Sequence, residues 1–492
     1  MTRFTRALVA SVSVIALAAP VFAQSEVAQS QDSYFLDAKS QLDQRLLVNP
    51  NTGRAKNIIL FVVDGLSIPT ITASRIHEGQ LAGVNGESNW LAFEKLLPYT
   101  ALSKTYTHDS QVADSAPTAT AMVSGTKSVN GTIGVTQDIV LNDPASQAGA
   151  EVTTIFEQAE AAGLSTGLVS TARITHATPA ATFAKVAGRD WENDTNLPEN
   201  AAEFGVKDIA AQLIDWPAGN GFEVVFGGGR SNFMLETQAD PEEPSRNGAR
   251  KDGRDLIAEW QANNNNGVYV WNQAGFDAID TANTDKVFGL FNRSHMQYEI
   301  DREKDAGGEP SIADMTTKAI EILSKNDNGY VLMVEGGRVD HAHHAGNAAR
   351  ALTDTIAVSE AVQAAYDVVN PEETLIVLTA DHSHVFTISG YPERDNPILG
   401  IAGVADDGKP YTTLGYHNGP GAKVDEPRAD LTDVDTTDVD FLQQALIPMG
   451  SETHAGDDVA IFAQGPWAHL FHGTMDQSVI YHVMAKAIGF NE

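Results

Sequence analysis

Residues 57–65 read NIILFVVDG, a run that is apolar from Ile58 to Val63 and ends at an aspartate and a glycine. A strand with one wet face alternates apolar and polar residues, whereas an uninterrupted apolar run is typical of a strand buried on both faces. The same pattern recurs at residues 330–334 and at residues 374–379. These three runs predict a sheet that is covered on both sides.

Weaker runs of the same kind lie at residues 167–170, 222–226 and 459–463. The stretches between the runs include residues 313–324 and 348–368, whose apolar positions repeat at helical spacing. Strand and helix therefore alternate along the chain. This order predicts an α/β fold with a mainly parallel central sheet and helices on both faces.

The composition changes outside this predicted core. Residues 1–23 carry two arginines, an apolar run and a small-residue ending, which indicates a secretory signal peptide; an N-terminal anchor is the alternative. Residues 24–56 are polar without a clear pattern and predict a surface arm. Residues 390–451 are rich in Gly, Pro and Asp, show no evident buried strand and predict a surface insertion. It would separate the two parts of the catalytic core, residues 57–389 and 452–492.

Charge and cysteine content exclude several classes of protein. The chain has 492 residues, no cysteine, and 65 acidic against 32 basic residues, a formal net charge of −33. Without cysteine there are no disulfides, thiolate metal sites or cysteine nucleophiles. The negative charge and the lack of a basic patch argue against a nucleic-acid-binding surface. No stretch after the first 23 residues is long enough for a membrane span, so an exported protein, periplasmic or extracellular, is expected.

Each of the three strongest runs is followed by an acidic residue: Asp64, Glu335 and Asp381. The carboxyl ends of parallel strands meet at one edge of a sheet, where ligands bind, so these acids should converge. Crowded carboxylates without partners are costly. The convergence therefore predicts a cation among them.

Histidines supply further metal ligands. Asp340 and His344 stand four residues apart and would share one helix face, a spacing that suits two ligands of one zinc ion. His382 follows Asp381 directly, and His454 precedes the run at 459–463. A set of three protein ligands leaves room for water or substrate, as catalytic zinc requires.

A candidate nucleophile lies in residues 114–122, which read DSAPTATAM. Ser115 has the character of a helix N-cap, and the positive end of a helix attracts anions such as phosphate. A serine that merely caps a helix is the alternative, and the metal ligands give the catalytic interpretation its weight. The chain has no G-x-S-x-G elbow, no complete P-loop and no H-E-x-x-H motif.

Together these segments resemble the alkaline phosphatases, in particular the branch of animal-type enzymes. The resemblance rests on residues 63–65, 114–120, 177–180, 334–344, 379–384 and 452–456. They extend, in the family's order and spacing, from about residue 57 to 475. Residues 416–421, YHNGPG, also resemble the insertion called the crown in animal enzymes.

The resemblance implies two zinc ions and one magnesium ion per chain, phosphate monoesters of broad alcohol specificity as substrates, a phosphoserine intermediate on Ser115, and a homodimer. The implied ligands are Asp340, His344 and His454 for the first zinc, Asp64, Asp381 and His382 for the second, and Asp64, Thr178 and Glu335 for magnesium. Arg189 would grip two phosphate oxygens. His176 and His341 would lie just outside the metal ligands, and both match the animal pattern, where the enteric bacterial enzyme has Asp and Lys.

A fourth, calcium site of animal enzymes is doubtful in this chain. The family has a Glu where this chain has Asn292, although Glu309 lies near another ligand position.

Three other functions compete with a phosphomonoesterase. A phosphodiesterase or sulfatase of the same superfamily is the nearest, but sulfatases of that fold need a cysteine. A zinc-scavenging protein would need neither Ser115 nor Arg189. A metalloprotease would need its helical motif.

Overall fold

The computed structural model describes residues 27–424 and 426–490, which form two units that divide between Asn49 and Pro50. The predicted signal peptide, residues 1–23, lies outside the described residues. In the first unit the predicted arm contains a helix, Ser33–Arg45, that begins at the N-cap Asp32 and buries none of its residues. The sequence pattern does not indicate this helix, because without a buried face its apolar residues follow no clear period.

The described residues contain seventeen strands: β1 Asn57–Val63, β2 Tyr99–Lys104, β3 Ser165–Arg173, β4 Val224–Gly228, β5 Val268–Val270, β6 Val287–Asn292, β7 Tyr330–Gly336, β8 Thr374–Thr379, β9 Ser383–His384, β10 Phe386–Ile388, β11 Ile401–Val404, β12 Pro410–Thr412, β13 Leu414–Gly419, β14 Ala445–Pro448, β15 His454–Ala455, β16 Val459–Gln464 and β17 Thr474–Asp476.

The same residues contain thirteen α-helices: α1 Ser33–Arg45, α2 Ile68–Leu81, α3 Ala92–Leu96, α4 Ser115–Ser124, α5 Ile155–Ala161, α6 Ala177–Ala180, α7 Ile209–Ile214, α8 Leu256–Asn263, α9 Gln273–Asp277, α10 Ile312–Leu323, α11 Arg338–His344, α12 Ala348–Val368 and α13 Val479–Ile488.

Ten strands form the central sheet, in the order β17-β2-β16-β8-β1-β7-β3-β4-β6-β5. Every neighbouring pair is parallel except the two pairs made by β16, which runs antiparallel to β8 and β2. The predicted α/β fold with a mainly parallel sheet is confirmed.

The uninterrupted apolar run of β1 is explained by its central position. Ile58, Leu60 and Val62 belong to the hydrophobic cluster on one face of the sheet, and the alternate residues of the strand belong to the cluster on the other face. All six residues from Ile58 to Val63 are at most 1% exposed. Burying an Ile, Val or Leu side chain contributes about 1.5–3 kcal/mol, so this strand anchors both layers of the core.

The predicted insertion, residues 390–451, departs from expectation in one respect. It contains β13, where Leu414 and Tyr416 are buried against Phe386, so the expectation of no buried strand there is wrong. The residues of β13 read LGYHNG, and its glycines and polar residues hide the alternation of buried and exposed positions. No helix among residues 27–424 and 426–490 has the length and apolarity of a membrane span.

Candidate active site

The three acids predicted to converge lie at the carboxyl ends of adjacent strands. Val62 of β1 stands opposite Glu335 of β7 and Thr379 of β8, so Asp64 and Asp381 follow at the same edge of the sheet. All three carboxylates are fully buried.

The turn after β1 has room only for glycine. Gly65 has a φ of 75°, and a Cβ at this position would collide with the ring of His384. Its backbone N–H donates to Asp381 Oδ1 at 3.0 Å, which ties the end of β1 to the loop after β8. The glycine therefore allows the close approach that brings Asp64 and Asp381 together.

Helix α4 presents Ser115 to these acids. The N-cap is Asp114, whose carboxylate accepts from the N–H of Ala116 at 2.8 Å, so the prediction that Ser115 itself is the N-cap is wrong by one residue. Both Asp and Ser cap helices well, and only the backbone decides between them. Ser115 is 2% exposed, and its Oγ lies 3.1 Å from His382 Nε2 and 3.5 Å from both carboxylate oxygens of Asp64.

Asp64, Asp381 and His382 surround this serine. His382 Nε2 lies 3.3 Å from Asp64 Oδ1 and 3.2 Å from Asp381 Oδ2. Burial, reinforced by the charges of Asp381 and Asp340, raises the pKa of Asp64 well above its usual value. Asp381 Oδ2 and His382 Nδ1 are buried without a hydrogen-bond partner in the described part of the chain. This excess of acceptors fits a cation.

A second group combines Asp340 with three imidazoles, His344, His384 and His454, whose ligand atoms all lie within 4.8 Å of one another. His384 had no predicted role. It is the last residue of the segment 379–384, which carries part of the resemblance, but no spacing in the sequence shows that His384 contacts Asp340 in the fold.

Hydrogen bonds fix the rings of this group. His344 Nδ1 donates to the Glu452 carbonyl at 2.6 Å, and His454 Nδ1 donates to the Ala113 carbonyl at 2.8 Å. Their Nε2 atoms consequently carry the lone pairs, and these atoms face each other at 3.0 Å. Two lone pairs this close repel each other unless a cation lies between or beside them.

His384 bridges two carboxylates. Its Nε2 lies 2.8 Å from Asp340 Oδ1 and its Nδ1 lies 2.6 Å from Glu452 Oε2. Although burial opposes a charge on the ring, these two carboxylates raise the pKa of His384 to about 9. In turn, burial works to raise the pKa of Asp340, but the hydrogen bond from His384 and the charge of that ring hold it well below its usual value.

A third group contains Asp64, His176 and Glu335, with Thr178 at the start of α6 beside them. Thr178 Oγ1 and Glu335 Oε1 are buried and lack a hydrogen-bond partner among the described residues. Burial raises the pKa of Glu335 to about 8. Buried oxygen atoms without partners are what a hard cation such as Mg²⁺ requires. His176, expected only near this site, is close enough to be a ligand.

Arg189 reaches the same pocket. Its Nη1 donates to Asp114 Oδ1 at 2.8 Å, and its Nη2 lies 3.1 Å from His176 Nε2. Asp114 also accepts from the N–H of Gly131. The carboxylate that starts the helix of Ser115 therefore also holds the guanidinium.

The remaining predicted residues lie outside the three groups. His341 of α11 packs against His176 and His295, and His295 was not predicted. At the doubtful calcium position, Asn292 Nδ2 donates to Glu309 Oε1 at 2.8 Å. Burial raises the pKa of Glu309 to about 8, and Glu309 belongs to none of the possible metal groups in the described part of the chain.

The donor sets fit the ions that the resemblance implies. Two groups combine carboxylates with imidazoles, as zinc prefers, and the third is rich in oxygen, as magnesium prefers. The hydroxyl of Ser115 is buried beside one imidazole–carboxylate group, and the guanidinium of Arg189 lies beside the oxygen-rich group. Such a pocket is suited to the transfer of a phosphoryl group.

Comparisons with known proteins identify relatives along nearly the whole chain. The family model "Alkaline phosphatase" matches residues 55–490. Alkaline phosphatase of Gadus morhua is 43% identical over 459 residues, covering 92% of this chain and 95% of that protein. The tissue-nonspecific alkaline phosphatase isozyme of Gallus gallus is 43% identical over 454 residues, covering 90% and 86%.

Solved structures agree on the fold. The crystal structure of Thermus thermophilus alkaline phosphatase has a TM-score of 0.63 at 25% identity, covering 89% of this chain and 92% of that chain. Alkaline phosphatase from the Antarctic bacterium TAB5 has a TM-score of 0.61 at 22% identity, covering 90% and 100%, and supports the fold alone.

The resemblance to animal-type enzymes, predicted from the motifs, is confirmed by these relatives. The protein is a metal-dependent hydrolase of phosphate monoesters, and the chain belongs to the alkaline phosphatase family.

Proposed function

We propose that the protein hydrolyses phosphate monoesters through a phosphoserine at Ser115, with two zinc ions and one magnesium ion per chain. The observation that carries the proposal is the position of Ser115 Oγ, buried 3.1 Å from His382 Nε2 and 3.5 Å from Asp64. A serine whose only role was to cap a helix would have no reason to lie beside the buried, unpartnered polar atoms of Asp381 and His382.

Each ion would have its own set of donors, and two of these sets would share Asp64. Asp340, His344 and His454 would hold the first zinc, with His384 orienting Asp340. Asp64, Asp381 and His382 would hold the second, and Asp64, Thr178 and Glu335 would hold magnesium. When bound, the zinc ions would act as Lewis acids that lower the pKa of the serine hydroxyl and stabilise charge on the leaving oxygen.

The residues of the chain would carry out the transfer in two displacements. Arg189, oriented by Asp114, would hold two non-bridging phosphate oxygens so that the phosphorus atom faces Ser115. Ser115 Oγ would lose its proton and form a bond to phosphorus as the bond to the alcohol oxygen breaks, and this oxygen would take up one proton and leave as the alcohol. Water would then attack the phosphoserine, release inorganic phosphate and restore the serine hydroxyl.

Broad specificity for the alcohol follows from this arrangement. The proposed contacts all address the phosphoryl group, which leaves the alcohol portion free to vary. The net charge of −33 opposes anionic substrates at long range, but salt screens it beyond about 8 Å. Cations and Arg189 would dominate at contact distance.

Export and assembly are also part of the proposal. The pattern of residues 1–23 supports a signal peptide and hence a periplasmic or extracellular protein. Resemblance to the family supports a homodimer, which analytical ultracentrifugation of the mature chain would test.

The function is tested by metal analysis of active protein together with hydrolysis of a phosphate monoester, a phosphodiester and a sulfate ester. We expect two zinc ions and one magnesium ion per chain and rapid hydrolysis of the monoester alone. Hydrolysis of the diester or the sulfate as fast as that of the monoester, or faster, would contradict the assignment as a phosphomonoesterase. Another metal stoichiometry at full activity would overturn the proposed ion set.

A further inference from the structure

Two arginines and two histidines from distant parts of the sequence meet beside the proposed phosphate pocket. Arg173 ends β3, His295 follows β6, and Arg338 and His341 lie on α11. The ring centres of His295 and His341 are 4.0 Å apart, and burial together with the charges of the two arginines lowers the pKa of both rings. Both rings are therefore neutral near pH 7. We call these four residues the arginine–histidine cluster.

His176 connects the cluster to Arg189. Its ring centre lies 5.2 Å from that of His295 and 5.4 Å from that of His341, and its Nε2 lies 3.1 Å from Arg189 Nη2. Because a guanidinium can only donate, Nε2 accepts and Nδ1 bears the ring proton. This Nδ1 is buried without a hydrogen-bond partner in the described part of the chain. The cluster therefore lies next to the guanidinium that would hold the phosphoryl group.

Hydrogen-bond donors outnumber acceptors in the cluster. The backbone N–H of Arg173 lies 3.2 Å from His295 Nδ1, and Arg173 Nη1 lies 2.5 Å from His295 Nε2. A neutral imidazole has one lone pair, so it can accept from only one of these donors. His341 Nδ1 and Arg338 Nε are also buried without a partner among the described residues. Buried polar groups are normally paired, so this surplus indicates a missing acceptor.

One positive charge in the cluster lacks a counter-ion. Arg173 binds Glu192 through Nε at 2.7 Å and Nη2 at 2.5 Å. Arg338 forms no ion pair with a carboxylate of residues 27–424 and 426–490, and its guanidinium carbon lies 3.8 Å from the ring centre of Tyr298, which does not neutralise the charge. The surplus of donors and of positive charge opposes a metal ion here, although three imidazoles are close enough to hold one.

We propose that the arginine–histidine cluster binds an oxyanion next to the phosphoryl group held by Arg189. The inference rests on the proposed function, and it names as preferred substrates the phosphate monoesters whose alcohol carries a second phosphate group. The oxygens of that group would accept from Arg338, from Arg173 Nη1 and from the ring of His341. His295 would carry its proton on Nε2, facing the oxyanion, while its Nδ1 accepts from the backbone N–H. A free inorganic phosphate ion has the same chemistry and is the other source of such a group.

Hydrolysis of two compounds that differ only in the second phosphate, 1,3-propanediol monophosphate and 1,3-propanediol bisphosphate, tests the site. Per phosphate group, the wild type should have a kcat/KM at least about tenfold higher for the bisphosphate, the effect of one hydrogen-bonded contact to a charged group. Arg338→Gln should lose most of this preference and keep its rate on the monophosphate. Arg246→Gln, which removes the charge of an exposed arginine paired with Glu243, is the matched control and should keep the preference.

Isothermal titration of inorganic phosphate into protein saturated with zinc and magnesium separates the two sources of the oxyanion. Two phosphate ions per wild-type chain and one per Arg338→Gln chain, without a preference for the bisphosphate, would assign the cluster to the free ion. A wild type with neither the preference nor a second phosphate ion overturns the proposal. An Arg338→Gln variant that keeps whichever of these the wild type shows also overturns it.

His295→Phe keeps a planar ring without its nitrogens and provides a second variant. It should weaken the preference for the bisphosphate, or the binding of the second phosphate ion, at least about threefold. Unchanged behaviour of this variant contradicts the site. A wild type that hydrolyses neither compound would refute the proposed function instead, and the phosphate titration would still decide whether the cluster binds an oxyanion.

Discussion

Replacing Arg189 by alanine separates substrate binding from chemistry. The guanidinium is held before substrate arrives, by Asp114 at 2.8 Å and His176 at 3.1 Å, so its planar fork is already oriented. Asp114 keeps the N–H donors of Ala116 and Gly131 in the variant, so the start of the Ser115 helix should survive. The change should therefore act on phosphate recognition and leave the fold intact.

The magnitude follows from the contact that is lost. A hydrogen-bonded contact to a charged group contributes about 1.5–3 kcal/mol, and about 1.4 kcal/mol corresponds to a factor of ten. Arg189→Ala should lower kcat/KM roughly ten- to a hundredfold. Product phosphate makes the same contact, so its inhibition constant should rise by a similar factor. Arg189→Lys keeps the positive charge but not the planar guanidinium, so its kcat/KM should lie between those of the wild type and Arg189→Ala.

The assay is steady-state hydrolysis of a chromogenic monoester, with inorganic phosphate as competitive inhibitor and zinc content as control. Equal phosphate inhibition constants for wild type and Arg189→Ala would refute the reasoning. They would place Arg189 outside the phosphate pocket. Loss of zinc from the variant would show that the effect is not confined to recognition.

Three further predictions concern metal and pH. Asp64→Ala should release more than one metal equivalent, because Asp64 belongs to two of the possible metal groups; mass-spectrometric metal analysis showing full content would contradict this. His176→Asp adds a carboxylate beside the magnesium group and should tighten magnesium about tenfold while slowing turnover, and an unchanged magnesium dependence of the rate would exclude a role for the residue. Burial raises the pKa of Asp354 to about 7, so the folded protein keeps a proton that the unfolded chain loses near pH 4. The free energy of unfolding therefore falls as the pH rises from about 4 to about 7. Asp354→Asn keeps an acceptor for the Glu299 N–H. Its free energy of unfolding, measured relative to that of the wild type, should be about 2–4 kcal/mol higher at pH 8 than at pH 4. Urea unfolding that gives the same difference between variant and wild type at both pH values would contradict this.

The central strands could be predicted because burial on both faces leaves a local pattern. The runs at 57–63 and 374–379 match β1 and β8 residue for residue, and helix α12 matches its predicted range. Short edge strands such as β5, Val268–Val270, leave too few residues for any period to show.

Site residues that directly follow a strand could be predicted from the sequence. Site residues that are brought together only by tertiary contacts could not. Asp64, Glu335 and Asp381 follow strands that end at one sheet edge, which sequence alone indicates. His384 and His295 meet their neighbours only through folding, so no spacing in the sequence reveals them. The roles of the individual ligands stay predictions until metal-bound protein is characterised.

The central claim, that Ser115 forms the phosphoenzyme, is tested most directly by trapping it. Wild-type protein and Ser115→Ala, both loaded with zinc and magnesium, are mixed with a phosphate monoester, quenched in acid and analysed by peptide mass spectrometry. We predict one added phosphoryl group on the wild-type peptide that contains Ser115, and none on any peptide of the variant, whose zinc content stays near normal. Covalent phosphate retained by Ser115→Ala, or full turnover without label on Ser115, would contradict the mechanism.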